Sequence, residues 1–307
     1  MKLLFGHGYL GSRVAQLWRD AGSPVTIVTR NEEKARALRA DGYEAIVADV
    51  CDRQSLAKLP PAETVVFAVG YDRKTSHHAP NVSGPPTPSI LEVYAGGVAN
   101  VLDALAVVGS PTFIYISSTG VYGDADGDWV DEQTECRPLR EGGKACLAAE
   151  QAIAAHPLGT KSIVLRLAGI YGPGRIPRRE PLLRGEPIEA PAEGYLNLIY
   201  VDDAARIVLA AENKFADHQS SDNQRRLPQT YCVADGRPGL RREYYTELAR
   251  LLNAPEPRFT AACPDSPAAQ RAASDKRISS AKLLGEIGVE LQYPTFREGL
   301  AAIVAAE

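Results

Sequence analysis

The stretch KLLFGHGYLGSRVAQLWRDAG, residues 2–22, decides the fold. It opens with a short apolar run, passes through G-x-G-x-x-G and continues with the 3.6-residue periodicity of an amphipathic helix. In a strand–loop–helix each glycine has a task. Gly6 makes the tight turn, Gly8 lets the backbone approach a pyrophosphate, and Gly11 lets the helix pack close on the sheet. The phosphates then meet the partial positive charge of the helix N-terminus. His7, Tyr9 and Leu10, between the glycines, belong to the same candidate dinucleotide site. A bare G-x-G-x-x-G is weak evidence; the strand before it and the helix after it make it specific.

Working outward, the same alternation repeats. Short β-rich runs stand at 24–29 (PVTIVT), 43–48 (YEAIVA), 64–69 (TVVFAV), 112–117 (TFIYIS) and 162–167 (SIVLRL). Helical patterns separate them at 31–42, 91–109 and 146–156. A βαβ series predicts a parallel, doubly wound α/β sheet of the Rossmann type, and right-handed crossovers favour the strand order 3-2-1-4-5-6. Ligands of such sheets sit at the carboxyl ends of the strands. That rule nominates Thr29, Arg30 and Asn31 after the second strand, Asp49 and Val50 after the third, Ala68, Val69 and Gly70 after the fourth, and Ser117 at the end of the fifth. An acidic residue after the second strand would hold the ribose hydroxyl of NAD. Arg30 stands there instead, so the sequence favours NADP. Asp49 meets the adenine edge or caps the helix after it.

The chain of 307 residues is 45% hydrophobic and 23% charged, with a formal charge of −4. These values describe a globular protein with no electrostatic reason to bind nucleic acid, and a small-molecule substrate is expected. Five cysteines without a C-x-x-C pair argue against a disulfide framework or a thiolate metal site. His77 and His78, adjacent in a Pro-rich loop, are not spaced to share a metal, so no metal is predicted. No stretch reaches the roughly 20 apolar residues of a membrane span, and the expected location is the cytoplasm. Beyond Leu167 the rhythm loosens into a Pro-, Gly- and Arg-rich stretch, 171–194. We therefore expect a dinucleotide-binding domain at 1–167, with 196–213 returning to it, and a smaller substrate-binding lobe from 168–195 and 214–307. A strand at 230–235 and helices at 242–253 and 279–288 are assigned to that lobe, and 217–226 to a solvated loop. A helix is expected to begin near Asp202, with Asp202 as its N-cap and Asp203 in its first turn.

Four segments carry a resemblance: SSTGVYG (117–123), LRLAGIYGPG (165–174), LNLIYVDDAARIVLAA (196–211) and KRISSAKLLGEIGVELQYPTFREGL (276–300). Together they resemble the extended short-chain dehydrogenase/reductase family, the NAD-dependent epimerase/dehydratase group. The plain glycine loop is similar to that of an atypical branch. The resemblance implies that Ser118 orients a substrate hydroxyl. Thr119 and Gly120 replace the acids of the family's dehydratases, which argues against sugar-nucleotide dehydration. It also implies an acid, the Tyr of Y-x-x-x-K, whose Lys lowers the phenol pKa. Here PLREGGKACLAAE (138–150) admits two registers. One places Arg140 and Lys144 at the two positions, the other Gly142 and Cys146, and neither supplies a tyrosine. Tyr122 and Tyr171 are the phenols left as candidates, Tyr171 also standing where a nicotinamide would rest. Asn197 and the arginines 175, 178, 179 and 184 either grip an anionic ligand or form a solvated face. The resemblance further implies a homodimer through the helices at 90–108 and 144–155. Two functions remain open: an NADP-dependent oxidoreductase or epimerase with a displaced acid, acting on a sugar nucleotide or similar polar alcohol, and an NADP-binding protein without turnover.

Overall fold

A computed structural model describes residues 1–71, 87–218, 227–263, 269 and 274–307 of the chain. His77 and His78, and most of 217–226, lie outside the described residues. Seven strands form the central sheet: β1 (Lys2–Phe5), β2 (Val25–Thr29), β3 (Glu44–Val47), β4 (Thr64–Phe67), β5 (Thr112–Ser118), β6 (Ser162–Leu167) and β7 (Gln229–Val233). Their order is β3-β2-β1-β4-β5-β6-β7. The pairs β1–β2, β1–β4, β2–β3 and β4–β5 all run parallel. Six strands follow the expected order. The correction is β7, which the sequence reading assigned to the smaller lobe and which is the seventh strand of the main sheet.

Contacts divide the chain into two compact units. The first comprises Met1–Ser117, Glu141–Leu165 and Val208–Thr230, the second Ser118–Arg140, Arg166–Ile207 and Tyr231–Glu307. In the first, α1 (Gly11–Asp20), α2 (Glu32–Ala40), α3 (Gly97–Val108) and α4 (Glu141–Ala155) follow their strands. β4 is buried at all four positions, as a strand covered on both faces of a parallel sheet requires, whereas the edge strand β3 is buried only at Ala45. One core packs Leu3, Phe5, Val65, Phe67, Phe113 and Tyr115 against Val98, Val101, Leu102 and Leu105 of α3 and Ala149 and Ile153 of α4. Each such apolar side chain removed from water contributes roughly 1.5–3 kcal/mol. At one edge of this unit Glu212 accepts hydrogen bonds from Trp18 Nε1 (2.8 Å), Lys2 Nζ (2.5 Å) and Thr64 Oγ1 (2.5 Å), so a buried carboxylate is fully partnered.

The second unit is built from short strand pairs: Gly169–Tyr171 with Leu198–Tyr200, Tyr195–Leu196 with Gly239–Leu240, Ile188–Glu189 with Phe259–Thr260, and Trp129–Val130 with Arg277–Ile278. Helices α6 (Arg241–Leu252), α7 (Ala281–Ile287) and α8 (Phe296–Ala305) complete it. Its core is aromatic, with Tyr244 packed edge-on against Tyr245 and Phe296, and Tyr171 against Tyr200. The signal for α8 stands in the sequence as Thr295-x-x-Glu298, a capping pattern, and the Thr295 hydroxyl does accept the Arg297 N–H at 3.1 Å. The helix expected near Asp202, α5 (Val201–His218), starts one residue earlier. Asp202 therefore stands in its first turn beside Asp203 rather than at the cap.

Candidate functional site

The glycine loop behaves as its spacing requires. Gly6 has φ +96°, and a Cβ there would lie 2.4 Å from the Ala68 carbonyl oxygen. At Gly11 a Cβ would lie 2.0 Å from the Gly6 carbonyl oxygen, so α1 approaches the loop only because that atom is missing. Beside Gly8 there is open space, with nothing within 4 Å of where a Cβ would be. α1 begins without a side-chain cap and without an acid in its first turn, which leaves its N–H groups and positive end to a phosphate.

This loop borders a cavity of about 310 Å³. Of the residues read from the sequence, Gly6, His7, Gly8, Thr29, Arg30, Asp49, Val50, Ala68, Val69 and Gly70 line it. Phe5, Val28, Lys34, Ala48, Tyr71, Thr87, Pro88 and Val93 line it as well and were missed. Lys34 left a faint signal, one turn into the helix that follows Arg30, and its ammonium donates to the His7 carbonyl at 2.6 Å. Thr87, Pro88 and Val93 left none, being far from the loop in sequence. Asp49 lines the cavity while its Oδ1 accepts the Cys51 N–H at 2.9 Å, so it is both lining and turn former.

Four of the cofactor candidates do not line the cavity, and their side chains are engaged elsewhere. Asn31 is the N-cap of α2, its side-chain oxygen accepting the Lys34 N–H at 2.9 Å. The Ser117 hydroxyl is buried and donates to Glu150 at 2.6 Å. Leu10 is a core side chain, and Tyr9 is held by Arg13, which lies over its ring and donates to its carbonyl oxygen.

Burial separates the candidates of 138–150. Lys144 sits on the outer side of α4, 54% exposed and paired with Glu141 at 2.8 Å. Cys146 is buried beside Tyr115 and Ser117, and burial pushes its thiol up to about 11. Gly142, one turn earlier, has only Ile90 Cδ1 at 3.8 Å from where a Cβ would be. Cys146 is thus an interior position, Gly142 is half-buried beside open space, and Lys144, read from the sequence as the candidate catalytic lysine, forms a surface ion pair. Neither Gly142 nor Cys146 exchanges a proton readily near neutral pH.

The remaining candidates belong to the second unit. Ser118 closes β5, and its Oγ accepts the Gly120 N–H at 3.0 Å, shaping the turn at 119–121. Tyr122 is buried, its hydroxyl shared between Arg166 (2.7 Å) and Cys232 Sγ (3.1 Å). Burial first, and Cys232 next, raise its phenol far above the ordinary value, against the pull of Arg166. Tyr171 is 0% exposed, its hydroxyl donating to the Thr295 carbonyl at 3.4 Å, and burial raises its pKa too. Both phenols are corrected from candidate acids, and Tyr171 from nicotinamide contact, to core side chains. Asn197 clips two segments, donating to the Lys276 carbonyl (2.9 Å) and accepting the Ile278 N–H (2.7 Å). Arg179 pairs with Glu307 and Arg184 with Glu186, so these arginines are spent on carboxylates. Lys276, passed over in the sequence, is a buried ammonium donating to the carbonyls of Gly123 (3.0 Å) and Tyr122 (3.4 Å). Burial, then the charge of Arg140, lower it to about 8.

Known proteins place this geometry. Protein YeeZ of Escherichia coli (strain K12) is 28% identical over 297 residues, 95% of either chain. A functionally unknown conserved protein from Silicibacter pomeroyi DSS shares the fold with a TM-score of 0.73 at 27% identity, over 99% of this chain and 98% of that one. The UDP-glucose 4-epimerase of Thermus thermophilus, in complex with NAD, gives 0.73 at 20% identity over 99% and 98%, a likeness of fold alone. No helix among the described residues is long and apolar enough to cross a membrane. The family model for the NAD dependent epimerase/dehydratase family matches residues 3–224, the stretch that carries the glycine loop and six of the seven strands. On that match the chain belongs to the NAD-dependent epimerase/dehydratase family.

Proposed function

We propose that this protein binds NADP in preference to NAD and acts as an oxidoreductase or epimerase of slow chemistry on a sugar nucleotide or similarly polar alcohol. The observation that carries the preference is Arg30, which lines the cavity at the end of β2 where an acid would grip a ribose hydroxyl. The bound dinucleotide supplies hydride chemistry. The chain supplies the loop that leaves room for a pyrophosphate, the cations beside the ribose, and Ser118 as the hydroxyl-orienting residue.

Calorimetric titration of the full chain with each dinucleotide tests the preference. NADP binds more tightly, and Arg30→Asp reverses the order by about 1.5–3 kcal/mol, the range of a charge-assisted hydrogen bond, or about 10- to 150-fold in affinity. Equal or stronger binding of NAD by the wild type refutes the preference. Absence of binding by either refutes the cofactor reading.

A second reading, an NADP-binding protein without turnover, is favoured by one observation: no tyrosine stands in 138–150, and the Tyr122 and Tyr171 hydroxyls are buried in hydrogen bonds of their own. Tyr122→Phe separates core roles from chemical ones. Loss of its hydroxyl leaves Arg166 short of an acceptor, so stability falls by about 1–3 kcal/mol while NADP affinity holds. A melt unchanged beside lost turnover contradicts the core assignment.

A further inference from the structure

Three basic side chains reach the same cavity from three elements: His7 from the glycine loop, Arg30 from the end of β2, and Lys34 from α2. Among the described lining residues the one carboxylate, Asp49, already accepts a backbone N–H. Lys34 also ties α2 to the loop through the His7 carbonyl, an arrangement that uses one of its three donors. We infer that His7, Arg30 and Lys34 form a cradle for a phosphate monoester on the cofactor ribose, and that His7 enters it as an imidazolium, linking recognition of that phosphate to a proton.

The inference rests on the NADP reading above and deepens it. The imidazole of His7 is half-buried and edge-on to Tyr43, with ring centroids 5.8 Å apart. Burial first, and the Lys34 charge second, lower its pKa; Asp41 pulls the other way. The charged and titratable groups around it are Lys34 and Asp41 on and after α2, Tyr43 before β3, Arg30 after β2, Asp49 after β3, and Arg19 of α1, whose guanidinium lies 4.4 Å over the Tyr43 ring. Without ligand, burial and the Lys34 charge disfavour the protonated ring. A phosphate monoester carries about −1.5 to −2 charges at pH 7, enough to outweigh one neighbouring ammonium and to favour the protonated ring. NAD, with a hydroxyl at that place, supplies no such charge. The sign follows: the His7 contribution to NADP binding is present on the acid side and is lost as pH rises through the pKa of the liganded histidine.

The test compares NADP and NAD by calorimetry for the wild type, His7→Gln and Lys34→Gln at about pH 6 and about pH 8.5, either side of the histidine reference value near ~6.5. The phosphate titrates in this range as well, with a second pKa near ~6, and comparison of wild type with His7→Gln at each pH cancels that term. At the lower pH, His7→Gln loses about tenfold in the NADP-to-NAD affinity ratio, and at the higher pH almost nothing. Lys34→Gln loses about tenfold in that ratio at both. Two buffers of different ionisation enthalpy show a proton taken up with NADP by the wild type and not by His7→Gln. NAD affinity of each variant in the same series reports whether the loop still folds. A ratio lost equally at both pH values, or a proton count unchanged by His7→Gln, overturns the inference and leaves the NADP preference standing. Failure of both dinucleotides to bind the wild type overturns the inference together with the reading beneath it.

Discussion

Gly142→Tyr combined with Cys146→Lys is expected to raise NADP-linked turnover on sugar nucleotides by about 10²- to 10⁴-fold, the usual contribution of a positioned general acid. The geometry selects this pair. The two positions lie one helical turn apart on α4, Cys146 buried and Gly142 half-buried, and a side chain at 142 meets open space beyond Ile90. At 146 a lysine replaces a thiol buried near Glu150, whose carboxylate offsets part of the cost of burying the ammonium. The other register, Arg140→Tyr with the native Lys144, is expected to give no gain, because Lys144 is turned outward to Glu141. Single-turnover measurement of nicotinamide absorbance decides the matter. A response from Arg140→Tyr alone contradicts the register, and no response from either, with NADP still bound, favours the protein without turnover. A wild type that turns over at tens per second, a typical enzyme rate, contradicts our account of the site.

Asp203→Ala is expected to cost about 3–5 kcal/mol of stability, the largest loss for a single substitution that we foresee. Asp203 is 0% exposed, in the first turn of α5, and its carboxylate accepts the N–H groups of Gln292 (3.0 Å) and Tyr293 (2.8 Å) while pairing with Arg206. Truncation leaves two part-buried backbone donors and a guanidinium without that acceptor, and the stack of Tyr293 on Tyr200, with centroids 3.9 Å apart, loses its anchor. Asp203→Asn keeps one acceptor oxygen and should lose less. Denaturant midpoints measure both. A loss below about 1 kcal/mol for the alanine variant, the scale of an ordinary exposed position, would show that the clamp is not what holds this segment.

How much of this was legible beforehand depends on the range of the interaction involved. The first six strands, the helices between them and the glycine turn follow from local causes: apolar runs, helical periodicity, and two glycines where a Cβ would collide. The missing tyrosine was equally legible, since no register of 138–150 contains one. By itself, then, the sequence determined the architecture, the glycine turn and the lack of a tyrosine in 138–150. Only the tertiary structure decided what each remaining candidate does. Tyr122 and Tyr171 read as reactive phenols until Arg166, Cys232 and Thr295 are seen around them, and Lys144 reads as a catalytic lysine until α4 turns it to solvent. Asp203 reads as a first-turn acid until a segment about ninety residues later supplies its donors, and Lys34 becomes a neighbour of His7 only when α2 packs beside the glycine loop. The reason is physical. Propensity and periodicity act over a few residues, whereas burial, hydrogen-bond partners and pKa depend on which distant segments pack together, and no local pattern encodes that choice.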